Sequence, residues 1–201
     1  MTFLSGLMQG EALPRGMAEL QAELAAGRSL PPVERWTPEY CGQIDLRIAR
    51  DGAWYYIGTP IARPALVRLF STILRKEPDG RYCLVTPVEM AEITVEDAPF
   101  LAVQAQCKGE GQAADWSFLT NVGDTVTCDA GHCLRVIHNP ETGEPRPYIH
   151  VRRGLEARVV RPVFYELVEA AIVTRIGDQD MLGIWSGGVF HALGEAPRDD
   201  A

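Results

Sequence analysis

Two stretches of the chain carry apolar residues at helical spacing directly behind an Arg-Pro pair. Leu66, Leu69, Phe70, Ile73 and Leu74 follow Arg63-Pro64; Phe164, Leu167, Val168, Ala171 and Ile172 follow Arg161-Pro162. Both sets fall at i, i+3, i+4, i+7 and i+8, the spacing of a helix that buries one face. Proline suits the first turn, where its missing N–H would have no partner anyway. The pattern predicts two helices of about three turns each.

Period-two segments flank both helices. Ile44 to Ile48 alternates, and Asp51-Gly52 turns it into Trp54-Tyr55-Tyr56-Ile57. Tyr148 to Val151 leads through Arg152-Arg153-Gly154 into Leu155 to Val159. After the first helix, Asp79-Gly80 turns into Tyr82 to Val85; after the second, Ile176-Gly177-Asp178 turns into Met181 to Trp185. Each half therefore reads hairpin, helix, strands. Between them lie short strand candidates at Phe100 to Cys107, Trp116 to Leu119, Thr125 to Cys128 and Leu134 to Ile137. Short strands joined by Gly, Asn and Asp turns predict antiparallel sheet.

The fold class expected is α+β, an internal duplication of a hairpin–helix–strand unit in two small subdomains. Residues 1–29 form an N-terminal extension, in which Met17 to Ala26 reads as a short amphipathic helix. Residues 30–98 form the first subdomain, and 99–194 the second, mostly antiparallel β with one helix. Residues 195–201 form a short polar tail.

Charge narrows the function. Lys+Arg 19 against Asp+Glu 27 gives a net charge of −8, a field that repels nucleic-acid backbones. No apolar run approaches the ~20 residues that span a bilayer. Met1 to Gln9 carries no Lys or Arg, so no secretory signal is read, and the expected location is the cytoplasm. Cys41, Cys83, Cys107, Cys128 and Cys133 are odd in number and scattered, which fits reduced thiols. Apart from Lys76 and Lys108, every cation is arginine. One stretch is locally basic: Arg146, Arg152, Arg153, Arg158 and Arg161 stand there against the single acid Glu156.

Several motifs together resemble a bacterial family, the domain of unknown function 1285. They are Trp36-Thr37-Pro38, Ile44-Asp45, Asp51-Gly52, Gly58 to Arg63, Leu84 to Glu89 and Val95 to Phe100. Thr120 to Asp124, His132, Gly154 to Ala157 and Arg161-Pro162 continue the series. The resemblance runs from Leu30 to Leu193. It implies a two-part α+β fold with internal duplication, the C-terminal part similar to a pleckstrin-homology domain. It also implies a pocket between the two parts for a nucleotide-like ligand, and a signalling role linked to oxidative stress. No cofactor is expected.

The residues themselves supply candidates for such a site. A helix N-terminus offers unpaired N–H groups and positive dipole charge, and an arginine beside it adds a forked contact. Arg63 and Arg161 are therefore candidate anion ligands, with Arg152 from the basic stretch; pairing with nearby acids is their structural alternative. Thr120, Asn121 and Asp124 read first as a turn, and second as groups that could bond a base or ribose edge. Trp54 and Tyr55 are neighbours on a strand, so one faces the core and the other can stack on a ring; Trp54 enters the candidate list. His132 lies in Cys128-Asp129-Ala130-Gly131-His132-Cys133, whose spacing fits a hairpin better than a zinc site, so no metal is assigned. No catalytic residue is assigned either.

The leading expectation is a non-catalytic sensor that binds a small anionic, nucleotide-like ligand at the subdomain interface, with a signalling protein as a further partner. One alternative is an enzyme of nucleotide or phosphoester chemistry, using His132 as base and Asp124 as orienter. The other is a protein-interaction module without a small ligand.

Overall fold

The computed structural model describes residues 30–196. The Met17 to Ala26 helix and the end of the tail lie outside the described residues. The chain divides into two compact units, with the boundary between Asp97 and Ala98. The fold is α+β and dominated by sheet, with two α-helices among the described residues.

In the first unit, a six-stranded sheet has the order β3-β2-β1-β6-β5-β4. Its strands are β1 (Glu39–Ile48), β2 (Trp54–Tyr56), β3 (Thr59–Pro60), β4 (Leu74–Lys76), β5 (Tyr82–Val85) and β6 (Glu89–Val95). Neighbours are antiparallel except β1 and β6, which run parallel. Helix α1 (Pro64–Thr72) begins at its proline and buries Leu66, Leu69 and Phe70. Leu46, Ile48, Trp54, Ile73, Leu74, Leu84 and Ile93 complete the core.

Both turn signals in this unit form. The Asp51 carboxylate accepts from Ala53 N at 3.0 Å, and Asp79 accepts from Arg81 N at 3.1 Å. The β2–β3 turn holds an exception. Ile57 and Gly58 take φ of 47° and 70°, the two positive values that a tight hairpin turn of this hand needs. Gly58 accepts this freely, whereas the β-branched Ile57 is strained there and also exposed.

A second six-stranded sheet, order β10-β11-β12-β7-β8-β9, opens the second unit. It comprises β7 (Phe100–Lys108), β8 (Asp115–Thr120), β9 (Thr125–Thr127), β10 (Leu134–His138), β11 (Pro145–Arg152) and β12 (Leu155–Val159). Only β12 and β7 pair in parallel. Helix α2 (Arg161–Glu169) follows, with Pro162 second, and buries Val163, Phe164 and Leu167. A three-stranded antiparallel sheet closes the unit: β13 (Ile172–Ile176), β14 (Gln179–Ser186) and β15 (Val189–Glu195).

Hairpin, helix and three-strand meander thus occur in that order in both units. What the meander joins differs. In the first unit β6 returns to pair with β1. In the second, β12 pairs instead with β7, which precedes it in the chain, and the meander forms its own sheet.

Both helices stop earlier than the apolar stripes predict. Ser71 and Thr72 turn their hydroxyls back onto the carbonyls of Arg68 and Leu69, each at 2.7 Å, which competes with helix propagation. Ile73 and Leu74 are buried, but as the lead into β4. In α2 the inward stripe ends at Leu167: Val168 is partly exposed, and Ile172 is exposed on β13.

Candidate functional site

Arg63, at the start of α1, has extended backbone at φ −96° and ψ 103°. It is exposed and has no ion-pair partner among the described residues. The helix has no side-chain N-cap and no acidic residue in its first turn. Pro64 has no N–H, and Leu66 N and Val67 N donate to Arg63 O at 3.0 and 3.2 Å, so Ala65 N is the first-turn donor left open among the described residues, with no acid there to compensate the dipole. Trp54 does not join Arg63 as a ligand surface. It is 2% exposed and packs on Phe70 with ring centroids 6.2 Å apart, so it is a core residue. Of the two neighbours it is Tyr55 that is partly exposed, and the Arg47 guanidinium already lies 4.4 Å over its ring.

The second unit repeats the uncapped start. Val160 is the N-cap of α2, no side chain caps it, and no acid lies in the first turn. Here the arginine is occupied: Arg161 is ion-paired with Glu144, from the loop before β11. That pairing holds the Glu144 carboxyl below its ordinary range. A carboxylate thus already sits where an anion would be held.

Thr120, Asn121, Asp124 and Arg152 do come together, as a self-satisfied turn. Thr120 N donates to Asp124 O at 2.8 Å, and Asp124 N donates to Thr120 Oγ1 at 2.9 Å. Asn121 extends the β7–β8 ladder, its side-chain oxygen accepting from Leu101 N at 3.0 Å and its own N donating to Leu101 O at 2.9 Å. The Asp124 carboxylate pairs with Arg152, whose guanidinium lies 4.8 Å from the centre of the Phe100 ring. The polar groups of this turn are spent on the fold.

His132 is placed elsewhere, and this corrects the enzyme alternative. Its Nδ1 lies 3.1 Å from Asp129 Oδ1, and Asp124 is committed to Arg152. The physical reason is local: Asp129 Oδ1 also accepts from Gly131 N at 2.8 Å and His132 N at 2.7 Å, a tight turn that carries the imidazole with it. These bonds, the His132 N–H first, hold the Asp129 carboxyl below its ordinary range.

Sequence reasoning missed the partner of that imidazole. His150 from β11 stacks on His132 at 5.7 Å. Its Nδ1 lies 3.0 Å from Gly131 O, and its Nε2 accepts from Gly154 N at 3.1 Å, so both ring nitrogens serve the fold. Also missed was a buried polar bolt behind the same loop. Trp116 N donates to Ser186 Oγ at 2.8 Å, which in turn donates to Cys128 O at 2.6 Å. Burial pushes the Cys128 thiol up to about 12. The buried His191 accepts from Leu134 N at 3.4 Å, and burial lowers its pKa. The Ser186 and His191 contacts span 57 residues or more in sequence and left no local signal.

All five cysteines are free, and no group of three His, Cys, Asp or Glu converges as a metal site among the described residues. No described helix is long and apolar enough to cross a membrane.

Known proteins agree with the motifs. Residues 31–98 match the domain of unknown function DUF1285, N-terminal domain, and residues 99–193 match the DUF1285 C-terminal domain. The crystal structure of a DUF1285 family protein from Silicibacter pomeroyi DSS-3 is similar with TM-score 0.77 and 47% identity, covering 88% of this chain and 95% of that one. Another, from Shewanella baltica OS155, is similar with TM-score 0.50 and 26% identity, covering 63% of this chain and 92% of that one. No curated protein matches the chain. With both family domains matched in order across most of its length, the chain belongs to the DUF1285 family.

Proposed function

We propose that this protein is a non-catalytic binding protein for a small phosphate-bearing or carboxylate-bearing ligand, of which a nucleotide is the leading class. The observation that carries the reading is the start of α1. No side-chain cap, an open Ala65 N–H, no acid in the first turn and an arginine without an ion-pair partner among the described residues occur together there. A locally positive spot of this kind, in a chain of net charge −8, favours a small anion over an extended polyanion. The start of α2 is a second, weaker position, because Glu144 competes for Arg161. Free thiols fit a cytoplasmic setting.

A thermal-shift screen of nucleotides and phosphorylated metabolites tests this reading. A charge-assisted contact contributes about 1.5–3 kcal/mol, so Arg63→Ala weakens binding roughly ten- to hundred-fold. Arg63→Lys keeps the charge without the fork and falls between. Glu144→Gln, which removes the competing carboxylate, strengthens any anion binding through Arg161. Absence of any shift in the wild type, or a shift untouched by Arg63→Ala, contradicts the proposal.

A second reading, an interaction module in signalling, is favoured by one different observation: exposed apolar residues gather around β13. A mostly antiparallel sheet followed by a helix in the second unit supports the pleckstrin-homology-like description that goes with it.

A further inference from the structure

Half of the large apolar side chains that the described residues leave exposed lie between Tyr165 and Ile176. On β13, Ile172 is 47%, Val173 57% and Ile176 50% exposed. Val168 and Tyr165 on the preceding helix are exposed as well. A concentration of this kind marks an interface. β13 is also an edge strand, pairing only with β14.

The turn that closes the β13–β14 hairpin determines which backbone groups are open. Ile176 pairs with Gln179 across the two-residue loop Gly177-Asp178. In such a hairpin the closing pair exchanges both hydrogen bonds, and bonded pairs then alternate. Ile176, Thr174 and Ile172 therefore bond inward to Gln179, Met181 and Gly183. Val173 and Arg175 point their N–H and C=O groups away from β14, to an edge that no described residue pairs with.

We propose that this edge is where two copies of the chain meet, β13 pairing antiparallel with β13 of a second copy about a two-fold axis through Thr174. In this register Val173 and Arg175 of one copy face Arg175 and Val173 of the other. These are the residues with open backbone groups, so the ladder closes with four N–H···O bonds. On one face Ile172 meets Ile176 of the second copy, and Thr174 meets Thr174, both favourable cross-strand pairs. On the other face Arg175 lies directly opposite valine, not a second arginine. Each Arg175 also keeps its own counter-ion, Asp180, at 3.1 Å. The strand is thus self-complementary in hydrogen bonding, apolar area and charge. The pairing is independent of the anion site proposed above.

Sedimentation equilibrium of the full chain over a concentration series tests the proposal. The wild type approaches twice the chain mass of 22.1 kDa as concentration rises. Because the copies carry like net charge while the contact is apolar, added salt strengthens the dimer. Val173→Pro removes one outward N–H and leaves the β14 ladder intact, so it stays monomeric, with the far-UV spectrum and melting temperature that the wild type has at concentrations too low for it to pair. Ile176→Lys has the same effect. In a background with Cys41, Cys107 and Cys133 replaced by Ser, Thr174→Cys faces itself and forms an intermolecular disulfide on mild oxidation. A wild type that is monomeric throughout overturns the proposal, as does a dimer that survives Val173→Pro and Ile176→Lys. Protection of the Val173 and Arg175 amides in a monomeric wild type also overturns it, by showing that another segment covers the edge.

Discussion

The segments after α1 and α2 are both three-strand antiparallel meanders, yet one disappears into a sheet and the other stands apart. β6 lies between β1 and β5, paired on both edges, and buries Glu89, Ala91 and Ile93. β13 pairs on one edge and exposes most of its length. The reason is the position that β7 takes. In the second unit the parallel neighbour of the hairpin comes from upstream, so the meander is left to attach by other means. The same local order of elements therefore ends in a strand paired on both sides in the first unit, β6, and in a strand paired only with β14 in the second, β15, while the leading strands β4 and β13 are edges in both.

The largest expected effect comes from equivalent positions on the two stripes. Leu74 and Ile172 occupy the same step behind their Arg-Pro pairs, but Leu74 is fully buried and Ile172 is exposed. Leu74→Ala should cost about 2–5 kcal/mol, the usual range for emptying a packed site. Ile172→Ala, measured by denaturant unfolding at low protein concentration, should stay within about 0.5 kcal/mol of wild type. Equal losses would mean that the two stripes end alike.

Next comes the fastening of the second meander. Ser186 on β14 bonds Trp116 N and Cys128 O, both buried groups next to the neighbouring sheet. Ser186→Ala leaves both without this partner and should cost about 1–3 kcal/mol. Thermal or denaturant unfolding measures it; a loss below 0.5 kcal/mol, to order of magnitude, would show that these bonds do not fasten the sheet.

The smallest effect is graded with pH. Burial holds the His191 pKa below its ordinary 6.5, so the folded chain keeps this ring neutral while the unfolded chain binds a proton. The contribution is complete above about 6.5 and is lost as pH falls below it, with a slope of at most ~1.4 kcal/mol per pH unit. His191→Gln should flatten that part of the stability profile. An unchanged slope would place the titration elsewhere.

Much of this architecture was legible in the sequence because it is local. The helix stripes, the Asp-Gly turns and most strands of the second unit follow from spacing. β6 was not legible, since its inward set of Glu89, Ala91 and Ile93 puts a charged and a small residue where the period-two signal should be apolar. β13 was read into the helix because Ile172 continues the stripe. Partner choice at the candidate site was illegible for a different reason. Glu144 meets Arg161, and Asp124 meets Arg152, only after strands have paired. Asp129, by contrast, stands three residues before His132; that turn spacing was a local signal for the correct partner, and the reading passed over it in favour of Asp124.

Amide hydrogen exchange, resolved residue by residue and repeated across protein concentrations, tests the contrast between the two meanders most directly. The account predicts that β6 amides are protected at every concentration, because both edges of that strand are paired within the chain. Ile172, Thr174 and Ile176 should be protected at every concentration through β14, whereas Val173 and Arg175 should gain protection only as concentration rises. Val173 and Arg175 amides as protected as those of β6 at the lowest concentration, or open at the highest, would contradict it.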